Sequence, residues 1–436
     1  MQWITPIGRS GRGNDGVTVV FAKGKLAILL LSALVVGYGL VGGSMDRVAA
    51  RDASYEEIGL FMSVFRRVRD DYVEEPVMKD ALLGALHGMV EAVDPYSSYV
   101  PQASYEQVQA RTETQASPGI YISKRYGYAY VVAVARGSPA EREGVRTGDW
   151  IESIDARKTT QMSRWEAQYM LEGAPGTEVK LRLIRARRPP TEIRLVREAP
   201  VPEKVKAEVV ETGLGQLRIP SLQNGSSGQV RKGLRMLRSA DVKGLLLDVR
   251  GVAEGEVAEA VEIAGLLLPK GSKVLTVKDR QGRSVVHATT AEPLLAGVPA
   301  VVLADGGTSG AAEILVAALK DHKAATVVGL KTDGRGSGQE LFHLGDGSVL
   351  YLATKIYYRP NGNAIQEKKL KDSGISPDVR APDEDFVSSF YLENVSDDPD
   401  AELGVDFYKG LEEAVRERQF QQGLDRLRRR LAEKAA

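Results

Sequence analysis

VVLADGGTSGAAEILVAALKD, residues 301–321, followed shortly by ATVVGLKTDGRGSGQELFHLGDGSV, residues 325–349, decides how this chain is read. An apolar run from Val301 to Leu303 ends in a glycine-rich turn. From Ala311 to Leu319 apolar residues recur at helical spacing, so the first half is predicted as strand, turn, helix. A sharp strand-to-helix turn lifts its residues clear of the sheet, and the free N–H groups at the helix start face any negative charge that develops there. In α/β hydrolytic proteins a nucleophile stands at such a turn.

The stretch resembles the catalytic segment of the C-terminal-processing, or tail-specific, serine peptidases, with a pattern close to G-S-A-S-A-S-E-I and, downstream, T-F-G-K-G-x-x-Q. Aligned on Glu313 and Ile314, the chain reads Gly307, Thr308, Ser309, Gly310, Ala311, Ala312, Glu313, Ile314. The resemblance puts the nucleophile on Gly310 and, through Thr332, Asp333, Gly334, Arg335, Gly336 and Gln339, the general-base lysine on Arg335. The spacing between the two positions is kept, and both are replaced. A Ser–Lys dyad needs a hydroxyl to attack and a neutral amine to accept its proton. Glycine has no hydroxyl, and arginine stays charged at any physiological pH. Ser309 is one residue early, and one residue near a helix start turns a side chain by roughly 100°, so it is expected to point away from the site. Gln339 is the survivor of the catalytic group, and as a lone glutamine it suits a structural hydrogen bond.

Outward from this stretch, 436 residues with 58 basic and 58 acidic side chains suggest several domains without the basic excess of a nucleic-acid binder. There is no cysteine, hence no disulfide or thiolate site, and four scattered histidines lack metal-ligand spacing. Neither metal nor cofactor is expected. Residues 1–50 carry Arg9, Arg12, Lys23 and Lys25 ahead of an apolar run, Leu26 to Gly43. At about 18 residues the run is near the minimum for a membrane span. Positive charge before it predicts a cytoplasmic N-terminus and, in preference to the rival reading of a cleaved signal peptide, an uncleaved signal-anchor in the inner (cytoplasmic) membrane, single-pass, with the bulk of the chain periplasmic or otherwise extracytoplasmic.

Residues 51–114 read as a helical segment, with Ile58, Phe61, Val64, Phe65 and Val68 on one face. It closes in GALHGMVEAVDPYSSYV, Gly84 to Val100, which is similar to the family's helical segment ending L-D-P-H-S-S-Y; Asp94, Pro95, Ser97 and Ser98 suit a helix stop and turn. Residues 115–199 resemble a PDZ domain: Gly119-Ile120-Tyr121-Ile122 opening a strand, GSPAEREGVRTGDWIESID from Gly137 to Asp155, and a helix around Trp165 to Leu171. The resemblance implies that an extended C-terminal peptide adds as a strand beside Gly119–Ile122, its carboxylate held by backbone N–H groups of the opening loop. Tyr121 stands where the family usually has a second glycine.

Residues 200–380 alternate strands with helices, Gly213–Ile219, Ser226–Ser239, Gly244–Val249 and Val257–Leu268, which argues a largely parallel sheet. KGLLLDVRGVAEGEVAEAVEIAGLLLPKG, Lys243 to Gly271, resembles the family's K-G-L-I-L-D-L-R-N-N-P-G-G-L-L. The oxyanion turn implied there becomes Gly251, Val252, Ala253, Glu254, Gly255, and an acid at Glu254 opposes the charge such a pocket stabilises. In residues 381–436 a helical, basic tail is expected, with Arg426 and Arg428 to Arg430 on a solvated face.

The expected fold is therefore an α/β peptidase core of the crotonase-like, tail-specific protease type, with a PDZ-like β-rich domain and an N-terminal helical segment. The resemblance implies a membrane-anchored homologue of the C-terminal-processing peptidases that has lost its dyad and binds protein C-termini as an adaptor, regulator or partner of an active peptidase. The rival expectation is an active serine endopeptidase using a displaced Ser309 with Lys331 or another amine. A third is a scaffold with an unused PDZ groove.

Overall fold

The structure, a computed structural model, describes residues 55–110, 116–185, 189–201, 203–382 and 405–435. The expected anchor, Leu26–Gly43, lies outside the described residues, among which no helix is long and apolar enough to cross a membrane. Two units are distinguished, residues 1–81 and 82–436. In the first, residues 55–71 form a helix on which Ile58, Phe61, Val64 and Val68 are exposed.

The second unit is organised by a six-stranded sheet in the order Val379–Arg380, Ala325–Gly329, Ala300–Ala304, Gly244–Asp248, Leu214–Arg218, Lys206–Glu211. Neighbours run parallel except in the outer hairpin of Lys206–Glu211 with Leu214–Arg218. Strand side chains alternate between faces, and both faces here are covered. Leu245, Leu247 and Val302 pack in one core with Leu234, Ile263 and Leu315 from the helices Ser226–Ser239, Val257–Gly265 and Ala311–Asp321. Leu246, Val301 and Leu303 face the other way, onto Leu424 and Leu427 of the helix Val405–Ala435. Two-sided burial is why the central strands read as unbroken apolar runs.

Arg428 and Arg429 of the last helix are exposed, in keeping with the expected solvated basic face, but the helix also has a buried side. It forms the third layer of the core, with Arg430 donating to the Ala300 carbonyl at 3.1 Å and the Thr326 hydroxyl at 3.0 Å. Arg428 pairs with Glu211. The basic cluster conceals an apolar stripe, Phe420, Leu424, Leu427 and Leu431, at the spacing that seats a helix on a sheet.

The PDZ-type sheet is antiparallel, in the order Ile120–Arg125, Tyr128–Val134, Trp150–Ile154, Glu178–Ile184, Thr191–Val196. Its helix Arg164–Leu171 begins with a capping box between Ser163 and Glu166. Ile120–Arg125 is an edge strand, so one row of its backbone groups is free of sheet partners. A third sheet runs Ser98–Val100, Val349–Tyr358, Lys273–Asp279, Ser284–Ala288, with Ser337–His343 also pairing to Val349–Tyr358.

Glu313 fixes the turn before Ala311–Asp321. Fully buried, it accepts from the Thr332 hydroxyl and from the N–H groups of Gly334 (2.8 Å), Arg335 (2.8 Å) and Gly310 (3.0 Å). One carboxyl thereby holds the turn and the 332–335 loop together. Burial, helped by the charge of Asp333, pushes it up from 4.5 to about 8 against the pull of these donors. An acid whose pKa is raised by folding binds more protons folded than unfolded, so its contribution is complete below 4.5 and lost as pH rises through about 8. Thermal unfolding followed from about pH 5 to about pH 9 is expected to show that decline, and Glu313→Gln to flatten it. The variant should also lose about 2–5 kcal/mol near pH 6, because its amide nitrogen faces N–H donors. A variant with the wild-type slope would assign the pH dependence elsewhere.

Candidate functional site

At the head of Ala311–Asp321, Gly310 has φ 61° and ψ −118°. A side-chain-bearing residue held in such a conformation costs about 1–3 kcal/mol, and glycine adopts it freely. A sharp strand-to-helix turn of this kind raises its residue from the sheet, and here that residue has no side chain. A Cβ placed on Gly310 would lie 3.9 Å from Cδ of Arg335, so the two replaced positions still face each other. Both line a cleft of about 550 Å3 together with Glu254, Gln223, Ser337 and Tyr357.

Each newcomer has its own surroundings. Arg335 is half-buried, with no carboxylate at ion-pair distance among the described residues; its guanidinium carbon lies 5.7 Å from the centroid of the Tyr96 ring. Glu254 accepts from Gln223 Nε2 at 2.6 Å and from the Tyr121 hydroxyl. Burial raises the Glu254 carboxyl, and burial with Glu254 alongside pushes Tyr121 up to about 12. An acid thus stands in the Gly251–Gly255 turn at the wall of the cleft.

Ser309 is buried on the other side of the turn. Its Oγ donates to Asp333 Oδ2 at 2.8 Å, and the same carboxylate accepts from the Tyr96 hydroxyl at 3.1 Å and Arg125 Nη2 at 2.8 Å. Burial together with Asp333 drives Tyr96 well above the ordinary phenol range. Lys331 is directed elsewhere, Nζ donating to the Lys371 carbonyl at 2.6 Å on the exposed surface, so it is not the amine beside Ser309. Gln339 donates from Nε2 to the Tyr96 carbonyl, pinning the chain beneath the site.

In the PDZ-type domain, a Cβ on Gly119 (φ +83°) would lie 2.3 Å from Ser138 Cβ, so the loop closes only with glycine. Ile120 and Ile122 turn into the domain's core, whereas Tyr121 leaves it to reach Glu254. Across the free edge, Gln168 Nε2 donates to the Ile120 carbonyl at 3.3 Å. The domain is seated on the core through Arg125 to Asp333 and through Val132 and Ala133 packed with Ala253.

The structure thus brings Gly310, Arg335, Glu254, Tyr121 and Ser309 around two adjoining cavities, with Gln339 behind them and Gly119 at the far end of the edge strand. Sequence reasoning missed Asp333, Tyr96 and Arg125. Asp333 had a signal, since an acid stands where the family pattern has phenylalanine. The other two had none, because their importance arises from contacts across the fold.

The family description Peptidase family S41 matches residues 213–381, and a PDZ domain description matches residues 130–185. The carboxy-terminal-processing protease of Bartonella bacilliformis is 30% identical over 332 residues, 75% of each chain. The carboxy-terminal processing protease CtpA of Bacillus subtilis is 27% identical over 379 residues, 85% of this chain and 79% of that one. In fold, a solved photosystem II D1 C-terminal processing protease superposes with a TM-score of 0.61 at 24% identity, covering 74% of this chain and 92% of that one. With identity at this level over three quarters of both chains, on a matching core and PDZ domain, this chain belongs to the carboxy-terminal-processing protease family, Peptidase family S41.

Proposed function

We propose that this protein is a non-catalytic member of its family that binds the C-terminal tails of other proteins through its PDZ domain, as adaptor, regulator or partner of an active peptidase. In this reading Leu26–Gly43 anchors it in the inner membrane with its bulk outside the cytoplasm. The observation that carries the proposal is the pairing of a positive-φ turn backbone at Gly310 with the permanently charged Arg335, whose Cδ lies 3.9 Å from where a side chain at Gly310 would begin. Neither member can pass a proton, since one has no heteroatom and the other does not deprotonate. Glu254 in the oxyanion turn points the same way. The rival, a displaced Ser309, is disfavoured by an Oγ already committed to a carboxylate that accepts from two further donors.

Incubation of the full chain with tailed substrates and a fluorophosphonate probe should give neither cleavage nor labelling, and modification of Ser309 would overturn inactivity. Gly310→Ser, Glu254→Gly and Arg335→Lys made together should introduce fluorophosphonate labelling, whereas each alone should stay at background, because such groups act as a unit. Gly310→Ser alone should cost about 1–3 kcal/mol through its positive φ. For tail binding, amidating a peptide's C-terminus should weaken it. Gln168→Ala, which removes the side chain lying on the Ile120 carbonyl, should strengthen it by roughly two- to tenfold, the net value of one hydrogen bond. Equal affinity for acid and amide in fluorescence anisotropy would count against the groove.

A further inference from the structure

Beneath the PDZ groove, a cavity of about 120 Å3 has Arg164 and Arg335 in its walls, one from the first turn of the PDZ helix and one from the base position. Neither guanidinium has a carboxylate at ion-pair distance among the described residues, and Nε of Arg164 is sealed from solvent with no hydrogen-bond partner. The acids in the same walls are already engaged. Asp333 takes Ser309, Tyr96 and Arg125, Glu254 takes Gln223 and Tyr121, and Glu172 takes Gln168 at 3.4 Å. Burial and the neighbouring charge of Arg335 push Arg164 down to about 10, as expected of a cation without an anion.

Two like charges at the wall of one cavity, Arg335 half-buried and Arg164 with a sealed Nε that has no partner, are unfavourable unless something negative joins them. A guanidinium fork matches a carboxylate in shape as well as charge. The cavity also adjoins Ile122 of the edge strand and Gln168 of the helix, the two sides of the groove.

We propose that Arg164 and Arg335 form a binding site for a carboxylate, delivered by a polypeptide lying in or beside the PDZ groove. The ligand group is either the terminal carboxylate of that polypeptide or an acidic side chain near its end. Arg335 then acts at the former base position as an anion holder. The site is defined by the two arginines and exists whether or not the groove captures tails, so its test separates from that of the function proposed above.

The first measurement is thermal unfolding of the full chain in sodium acetate, against sodium chloride at equal ionic strength and against acetamide, the neutral isostere. Acetate should raise the midpoint in the wild type and lose that effect in Arg335→Gln and in Arg164→Gln. Without acetate, Arg335→Gln should melt no lower than the wild type, because it relieves a repulsion and breaks no ion pair. The second measurement uses two fluorescein-labelled decapeptides, one with a free terminus and no acidic residue, the other amidated with a single aspartate third from its end. Whichever binds about tenfold more weakly to both arginine variants identifies the source of the carboxylate, tenfold being near the value of one charged hydrogen bond. Gln168→Ala should alter peptide affinity and leave the acetate effect in place. An acetate effect that is absent, or that persists in both arginine variants, overturns the site.

Discussion

The buried carboxyl of Glu313 is the point on which this architecture turns. The residue before the Ala311–Asp321 helix and the loop from Thr332 to Arg335 are distant in sequence, and no strand pairing joins them. Their backbone N–H groups converge on one side chain, and the Thr332 hydroxyl that also donates to it accepts in turn from Ile375 N–H at 2.7 Å. A buried N–H without a partner costs about as much as the hydrogen bond it lost, so the loop cannot drift from the turn without stranding several at once. Positions 310 and 335 therefore stay opposed whatever side chains they carry. The demand is on the backbone, and the chemistry of the two positions is free to change.

How much of this could be read from the sequence depended on the range of the interaction. The strand, turn and helix from Val301 to Leu319 were legible because apolar period and glycine placement are local signals. The Val257–Leu268 helix was read a little long. It ends at Gly265, and Leu266 and Leu267 close a tighter turn onto the carbonyls of Ile263 and Ala264 while Leu266 and Leu268 remain in the core, so the apolar run outlasts the helix. In the tail the exposed arginines Arg428 and Arg429 were legible, whereas the stripe Phe420, Leu424, Leu427 and Leu431 that seats the helix on the sheet was masked by the charges around it. The Asp94–Ser98 turn was read as a helix stop and is also a junction. Asp94 accepts from Gln366, and Ser97 accepts from the Ala353 N–H, 256 residues away. No local pattern announces such partners. That a glycine and an arginine stand at positions 310 and 335 is legible in the sequence, whereas the gathering of Ser309, Tyr96 and Arg125 on Asp333 needed the fold.

The replaced positions are connected to one another. Asp333 ties the PDZ strand to the core through Arg125, and Glu254 ties it again through Tyr121, the residue that stands in the carboxylate loop where a glycine is usual. Tyr121 and Glu254, both departures from the family pattern, thus meet across the boundary between the domain and the core. A glycine in the loop could not reach Glu254, a phenylalanine in place of Asp333 could not hold Arg125, and a catalytic lysine with its pKa lowered by burial would be recharged beside Glu254. Along this boundary Tyr121 engages Glu254, and Arg125, Tyr96 and Ser309 engage Asp333. The consequence is mechanical as well as chemical. Gln168 lies on the Ile120 carbonyl at the free edge of Ile120–Arg125, and the same strand reaches Glu254 through Tyr121 and Asp333 through Arg125, so the edge of the groove and the seat of the domain on the core share one strand.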